Sequence, residues 1–149
     1  MITVTFDGGM KFVGRGESGH EVWMDASAKA GGADKAARPI EVLLSALGGC
    51  TGMDVISILR KMRTEPDALR IEIVGERAKG HPTHFTRIHL TYVVSGDVTK
   101  EKIEKAIELS LTKYCSVANT LAGVAEITSE VRFETVPSPA DPQIEREAS

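Results

Sequence analysis

The chain has little cysteine: among 149 residues there are two, Cys50 and Cys115. That is too few for a disulfide scaffold, and a reducing compartment keeps both as thiols, so a bond between them would be functional and transient. Their wide separation also excludes a CxxC motif and zinc-finger spacing. An excess of one charge is lacking too. With 18 basic residues against 21 acidic ones, interspersed, the net charge is only -3, and no basic stripe is present to follow a phosphate backbone, so a nucleic-acid partner is not expected. The N-terminal MITVTFDGG has neither a basic n-region nor a long apolar run, so nothing marks secretion and a cytoplasmic location is expected. His81, His84 and His89 come without a CxxC or HExxH partner motif, and His84 and His89 differ in strand parity, so no metal site is expected of them. The glycine runs around Gly14 and Gly31 lack a following GK[ST] or a strand-to-helix context, so no nucleotide cofactor is expected either.

What the chain does have is one long apolar stretch, Arg38 to Arg63, with Gly48, Gly49 and Cys50 at its middle. Ile40, Val42, Leu43, Leu44, Leu47, Met53, Val55, Ile56, Ile58, Leu59 and Met62 cover every side of a helical wheel. Such a helix is buried or spans a membrane. Glu41, Asp54 and the glycines 48, 49 and 52 argue for a buried central helix and against a span. Each helical glycine costs about 1 kcal/mol relative to alanine, which implies a close approach of another backbone or a ligand near the thiol. Pro39 opens the helix, and Thr64-Glu65-Pro66 closes it.

Ahead of this helix, Ile2, Val4 and Phe6 alternate with threonines, Asp7-Gly8-Gly9 turns, and Met10 to Val13 runs back as a hairpin. His20 to Met24 predicts a third strand, and Ala26 to Ala37 a mobile loop. Beyond the helix, alternation over Leu69–Ile73 and Ile88–Val94 predicts two strands. Thr99 caps a second helix whose Ile103, Ile107, Leu111, Tyr114, Ala118 and Leu121 form one buried face, with Gly123 as its stop and Cys115 at the margin of that face. Ile127 to Phe133 predicts a last strand, and the proline-rich residues 137–149 a disordered tail. The order βββ-α-ββ-α-β is a segregated α+β arrangement in one domain over residues 1–136. Five or six strands and one partner helix do not cover so apolar a helix, so an obligate homodimer is expected.

A reactive thiol needs a depressed pKa, and therefore a cation or a helix N-terminus. Cys50 lies far from its helix start in apolar surroundings. Arg15 and Arg38 are the candidate cations, each also readable as a solvated surface residue, with Glu41 able to position one of them. Glu41 lies about 180° around the helix from Cys50. Asp54, one turn beyond Cys50 on the same side, is better placed, although an unpaired carboxylate there opposes a thiolate.

The run P-x-E-x-L-L-x-A-L-G-G-C from Pro39 to Cys50, the K-Y-C-S-V run from Lys113 to Val117, and the element order resemble the OsmC/Ohr family of thiol peroxidases, over roughly residues 1–136. The resemblance implies an OsmC-like fold with antiparallel sheets around two central helices, intertwined as a homodimer. It implies that Cys50 is the peroxidatic residue and Cys115 the resolving one, recycled by a dithiol such as dihydrolipoamide on a lipoylated protein. In better-known members a glutamate directly follows the proline. Here Ile40 stands there and Glu41 comes one residue later, a departure that places the chain nearest the YhfA-like branch. The expected function is a cytoplasmic organic hydroperoxide reductase of the stress response, acting through Cys50, Cys115, Arg15 or Arg38, and Glu41, without a cofactor. The apolar helix favours fatty or aromatic hydroperoxides, at about 0.8 kcal/mol per buried CH₂. The alternative is a non-enzymatic protein of the same fold that binds a small apolar ligand or responds to redox state. A third reading leaves both cysteines as buried filler.

Overall fold

The computed structural model describes residues 1–135, so the tail expected at 137–149 lies outside the described residues. The chain divides into two compact units, Met1–Ala46 and Leu47–Ser149.

In the first unit, β1 (Thr3–Phe6), β2 (Phe12–Arg15) and β3 (Glu21–Met24) form an antiparallel sheet with Thr3 opposite Arg15 and Phe12 opposite Met24. The expected hairpin is present. Gly8 and Gly9 take φ of +85° and +59°, a conformation cheap only for glycine, and Lys11 N donates to Gly8 O at 3.0 Å. The sheet carries surplus apolar surface: every residue of β1 is exposed, Phe6 at 59%.

The segment expected to be a mobile loop is instead pinned. Asp25, only 2% exposed, accepts backbone hydrogen bonds from Ala26, Ala33 and Lys35 at 2.8, 3.2 and 3.1 Å. These bonds, that from Lys35 foremost, hold its carboxyl below the usual carboxylate range despite the opposing desolvation. A 3-10 turn at Ala28–Ala30 folds inside this ring. Gly32 is required there, because a Cβ would fall 1.9 Å from Ala26 O. Composition showed small and polar residues without a period; it did not show that one carboxylate would collect their N–H groups.

Helix α1 (Pro39–Lys61) begins where proline predicts. The Glu41 carboxylate accepts from Arg38 N at 2.8 Å, meeting a donor that the helix start leaves free. At the other end Arg63 takes φ of +56°, and Thr64 N donates to Leu59 O at 3.1 Å. Within the single chain the buried residues of this helix form one stripe, Leu47, Thr51, Val55, Ile58 and Leu59, while Met53 is 75% exposed. By length and composition the helix could cross a bilayer, and 22% of its apolar 18-residue window is buried within the chain.

In the second unit, β4 (Ala68–Arg77) pairs antiparallel with β5 (Phe85–Ser95), and β6 (Glu126–Phe133) joins β5 in parallel. That last pairing corrects the expectation of antiparallel sheets throughout. The chain leaves β5 and returns to its starting end through helices, and such a crossover delivers a parallel strand. Ile88, Leu90, Tyr92 and Val94 of β5 are fully buried. Each such aliphatic side chain contributes about 1.5–3 kcal/mol. Gly48 and Gly52, one turn apart on α1, admit Ile73 and Ile71 of β4: an added Cβ would lie 2.9 and 3.2 Å from their Cδ1 atoms. Gly49 faces open space among the described residues.

The expected second helix is broken. Helix α2 (Lys100–Leu109) starts at the Thr99 cap, Ser110–Tyr114 forms a π turn, and α3 (Ser116–Leu121) follows after the extended Cys115. Ser110 and Cys115 are fully buried, whereas Tyr114, expected on the buried face, is 51% exposed.

Candidate active site

Two elements of the second unit place the thiols. On α1, Cys50 and Asp54 stand four residues apart and so project from nearly the same side, while Thr51 turns into the core. Opposite them, the π turn closes with Cys115 N donating to Ser110 O at 2.8 Å. This bond spans five residues where an α-helix spans four, and the extra residue rotates Cys115 inward. Its Sγ then accepts from Ala118 N at 3.3 Å, capping α3.

The two Sγ atoms and one carboxylate oxygen of Asp54 all lie within 4.8 Å of one another. Cys115 is buried; Cys50 and Asp54 are partly accessible, so the cluster is closed on one side and open on the other. Burial first, and then its contact with Cys50, push the Cys115 thiol up to about 11, against a smaller downward pull from the Ala118 and Val117 N–H groups. No cation is among these influences.

Behind the thiols runs a line of hydroxyls that sequence reasoning missed. Tyr92 Oη lies 2.6 Å from Thr51 Oγ1, and Ser110 Oγ lies 2.9 Å from both Thr51 Oγ1 and Asp54 Oδ2. A hydroxyl has one proton to give and a carboxylate only accepts. Ser110 therefore donates to the Asp54 carboxylate, Thr51 donates to Ser110, and Tyr92 donates to Thr51. Every member is satisfied in that single direction, and it fixes the Asp54 carboxylate beside the sulfurs. Tyr92 is itself pushed up to about 12, chiefly by burial, so it stays a donor. Thr51 inside an apolar helix and Ser110 on an apolar face were the available signals, since buried hydroxyls demand partners.

The other expected residues lie in the first unit. Arg15 donates through Nε to Glu21 Oε1 at 2.9 Å, and Nη2 meets the same oxygen. Arg38 donates to Glu41 Oε1 at 2.9 Å and to Asp34 Oδ1 at 3.0 Å. Of the expected set, the structure thus joins Cys50 with Cys115 and Arg38 with Glu41, and gives Arg15 a different carboxylate. The Arg38 backbone N–H and then its guanidinium hold the Glu41 carboxyl below the usual range. Among the histidines, His89 Nδ1 contacts Thr128 Oγ1 at 2.7 Å and His84 Nδ1 contacts Pro82 O at 3.1 Å, and neither joins a metal-binding group among the described residues.

Comparisons with known proteins agree with the fold. The OsmC-like protein family model matches residues 32–130. Protein YhfA of Escherichia coli K12 is 39% identical over 121 residues, covering 80% of this chain and 87% of YhfA. A hypothetical protein from Aquifex aeolicus VF5 superimposes with TM-score 0.75 at 31% identity, over 90% of this chain and 96% of that one. The organic hydroperoxide resistance protein OhrB of Bacillus subtilis shares the fold at TM-score 0.65 and 18% identity, over 89% and 98% of the two chains. With a family model over most of its length, a relative above 30% identity and the two thiols brought together as its motifs imply, this chain belongs to the OsmC-like family.

Proposed function

We propose that this chain is a thiol-dependent peroxidase that reduces organic hydroperoxides. The observation that carries the reading is the convergence of Cys50 and Cys115 at a partly open site. Cys50, the more accessible sulfur, attacks the distal oxygen of ROOH as thiolate. The O–O bond breaks, the departing alkoxide takes up a proton to become ROH, and Cys50 is left as the sulfenic acid. Cys115 then attacks the Cys50 sulfur, its own proton leaves with the hydroxyl as water, and the disulfide forms. A dithiol, such as the lipoyl group of a lipoylated protein, supplies two electrons and two protons to restore both thiols.

Arg38 or Arg15 supplies the positive charge that the thiolate requires. The two hydrogen bonds between Arg38 and Glu41 support Glu41 as the carboxylate that orients it, despite its shift by one residue from the better-known pattern. The exposed apolar residues of β1 and of α1 support an intertwined homodimer as the working form. The family match crosses the boundary between the two units, which supports one domain over residues 1–136. The proposed setting is the cytoplasm.

Stopped-flow mixing of the reduced protein with cumene hydroperoxide tests the reading, with light scattering reporting the dimer. Rapid loss of one thiol followed by disulfide formation is expected, with the first step abolished by Cys50→Ser. Thiols unchanged after minutes of excess peroxide would sink it. One feature favours a second reading, a redox-responsive protein without turnover: burial raises the Cys115 thiol and leaves little of it as thiolate at neutral pH. A disulfide that forms once but is not recycled by any dithiol selects that alternative.

A further inference from the structure

We propose that the reduced thiol pair binds one thiophilic divalent cation, zinc by chemistry, through Cys50 Sγ, Cys115 Sγ and a carboxylate oxygen of Asp54, with a fourth position open to solvent. The proposal goes beyond the peroxidase reading and does not rest on it.

The donor atoms already stand close to where a cation needs them. Zinc takes sulfur at about 2.3 Å and carboxylate oxygen at about 2.0–2.2 Å, so two thiolates on a tetrahedral ion lie about 3.8 Å apart. The three atoms here lie within 4.8 Å of one another, and a contraction of at most about an ångström closes the site. Two soft sulfurs and one carboxylate suit zinc or cobalt and are a poor match for magnesium or calcium, which select oxygen donors.

Charge argues the same way. Two sulfurs and a carboxylate oxygen within 4.8 Å of one another crowd into one space three groups that carry negative charge as metal ligands. A divalent ion cancels that repulsion and deprotonates the thiols it binds. The hydroxyl line supplies the outer support that metal carboxylates use. Ser110 Oγ, 2.9 Å from Asp54 Oδ2, fixes the carboxylate and leaves its other oxygen for the ion. Access fits as well, because Cys115 closes the inner side while Cys50 and Asp54 remain partly exposed. An ion seated between the sulfurs keeps them from bonding to each other, so occupancy and the disulfide are mutually exclusive states of one site.

Cobalt(II) is the probe. The reduced full-length chain, freed of reductant and kept anaerobic, is titrated while the near-ultraviolet sulfur-to-cobalt charge-transfer band is followed. We expect saturation at one ion per chain and loss of the band on adding zinc. Cys50→Ser should abolish stoichiometric binding, and Asp54→Asn should weaken it at least about 10-fold, as should Ser110→Ala through the outer support. Circular dichroism accompanies each variant. Asp54→Asn is nearly isosteric at a partly exposed position, so it keeps the test open if a cysteine variant does not fold. No charge-transfer band, a stoichiometry other than one, or unchanged affinity in a folded Asp54→Asn would overturn the proposal. Peroxide plays no part in the titration, so an inactive peroxidase leaves this readout intact.

Discussion

Alkylation of each cysteine as a function of pH tests the electrostatics of the site directly. Burial, and after it contact with Cys50, raises the Cys115 thiol from an ordinary 9.0 to about 11. At pH 7 that lowers the thiolate fraction from about one in 100 to about one in 10,000. Burial also slows access, so the midpoint of the iodoacetamide pH profile, read residue by residue by mass spectrometry, is the informative quantity. We expect the Cys115 midpoint about two pH units above that of an unfolded control, and lower, but not normal, in Cys50→Ser, which removes the second cause and leaves the first. The same shift contributes to stability. A folded pKa above the unfolded one stabilises fully below pH 9 and loses that contribution as pH rises through 11. Two units correspond to about 2.7 kcal/mol, or a fall on the order of 1 M in the urea midpoint across this window. Cys115→Ser should lack that fall at matched protein concentration. A Cys115 midpoint in the ordinary thiol range in folded protein, or a full return to it in Cys50→Ser, would refute the ranking of burial above the neighbouring sulfur.

Asp25→Ala should cost about 2–3 kcal/mol in urea unfolding and speed tryptic cleavage at Lys29 and Lys35, because three backbone N–H groups lose a charged acceptor. Since the Asp25 carboxyl is held below its usual range, its contribution is present above the ordinary carboxylate pKa and fades as pH falls through the lowered value; equal acid sensitivity of wild type and variant would contradict this. In the hydroxyl line, Tyr92→Phe and Thr51→Val should each cost about 1–3 kcal/mol, and the double variant less than their sum by about 1 kcal/mol; additive losses would mean that the 2.6 Å contact carries no coupling.

The element order and the ends of α1 were legible because local chemistry sets them. Pro39 fits only a first turn, and the residue before Pro66 is barred from continuing a helix. The break in the second helix was not, although its trace is in the chain. The buried positions run Ile103, Ala106, Ile107, Ser110, Cys115, Ala118. The step of five from Ser110 to Cys115 is what a π turn accommodates. Leu111 and Tyr114 offered an unbroken apolar alternative at ordinary helical spacing, and apolarity alone cannot choose between them. Burying the hydroxyl of Ser110 beside Thr51 and Asp54 decided the phase instead, a contact between elements that no local window contains.

Asp54 shows the same limit from the side of chemistry. Its position one turn from Cys50 follows from helical geometry, and so does the objection that a carboxylate opposes a thiolate. The π turn adds Cys115 to that side of the helix, and three groups that are each anionic when ionised then share one space. Burial and the neighbouring sulfur raise the Cys115 thiol to about 11, so at neutral pH it rests protonated, and nearby positive charge favours its ionisation. On the proposed peroxidase reading an arginine would supply that charge, and on the proposed metal-binding reading a divalent ion would. If the peroxide reaction of the metal-free protein fails while cobalt binds at one ion per chain, the cluster is built for the ion. If the peroxide reaction proceeds and cobalt is refused, the cluster serves the peroxide and the metal proposal falls.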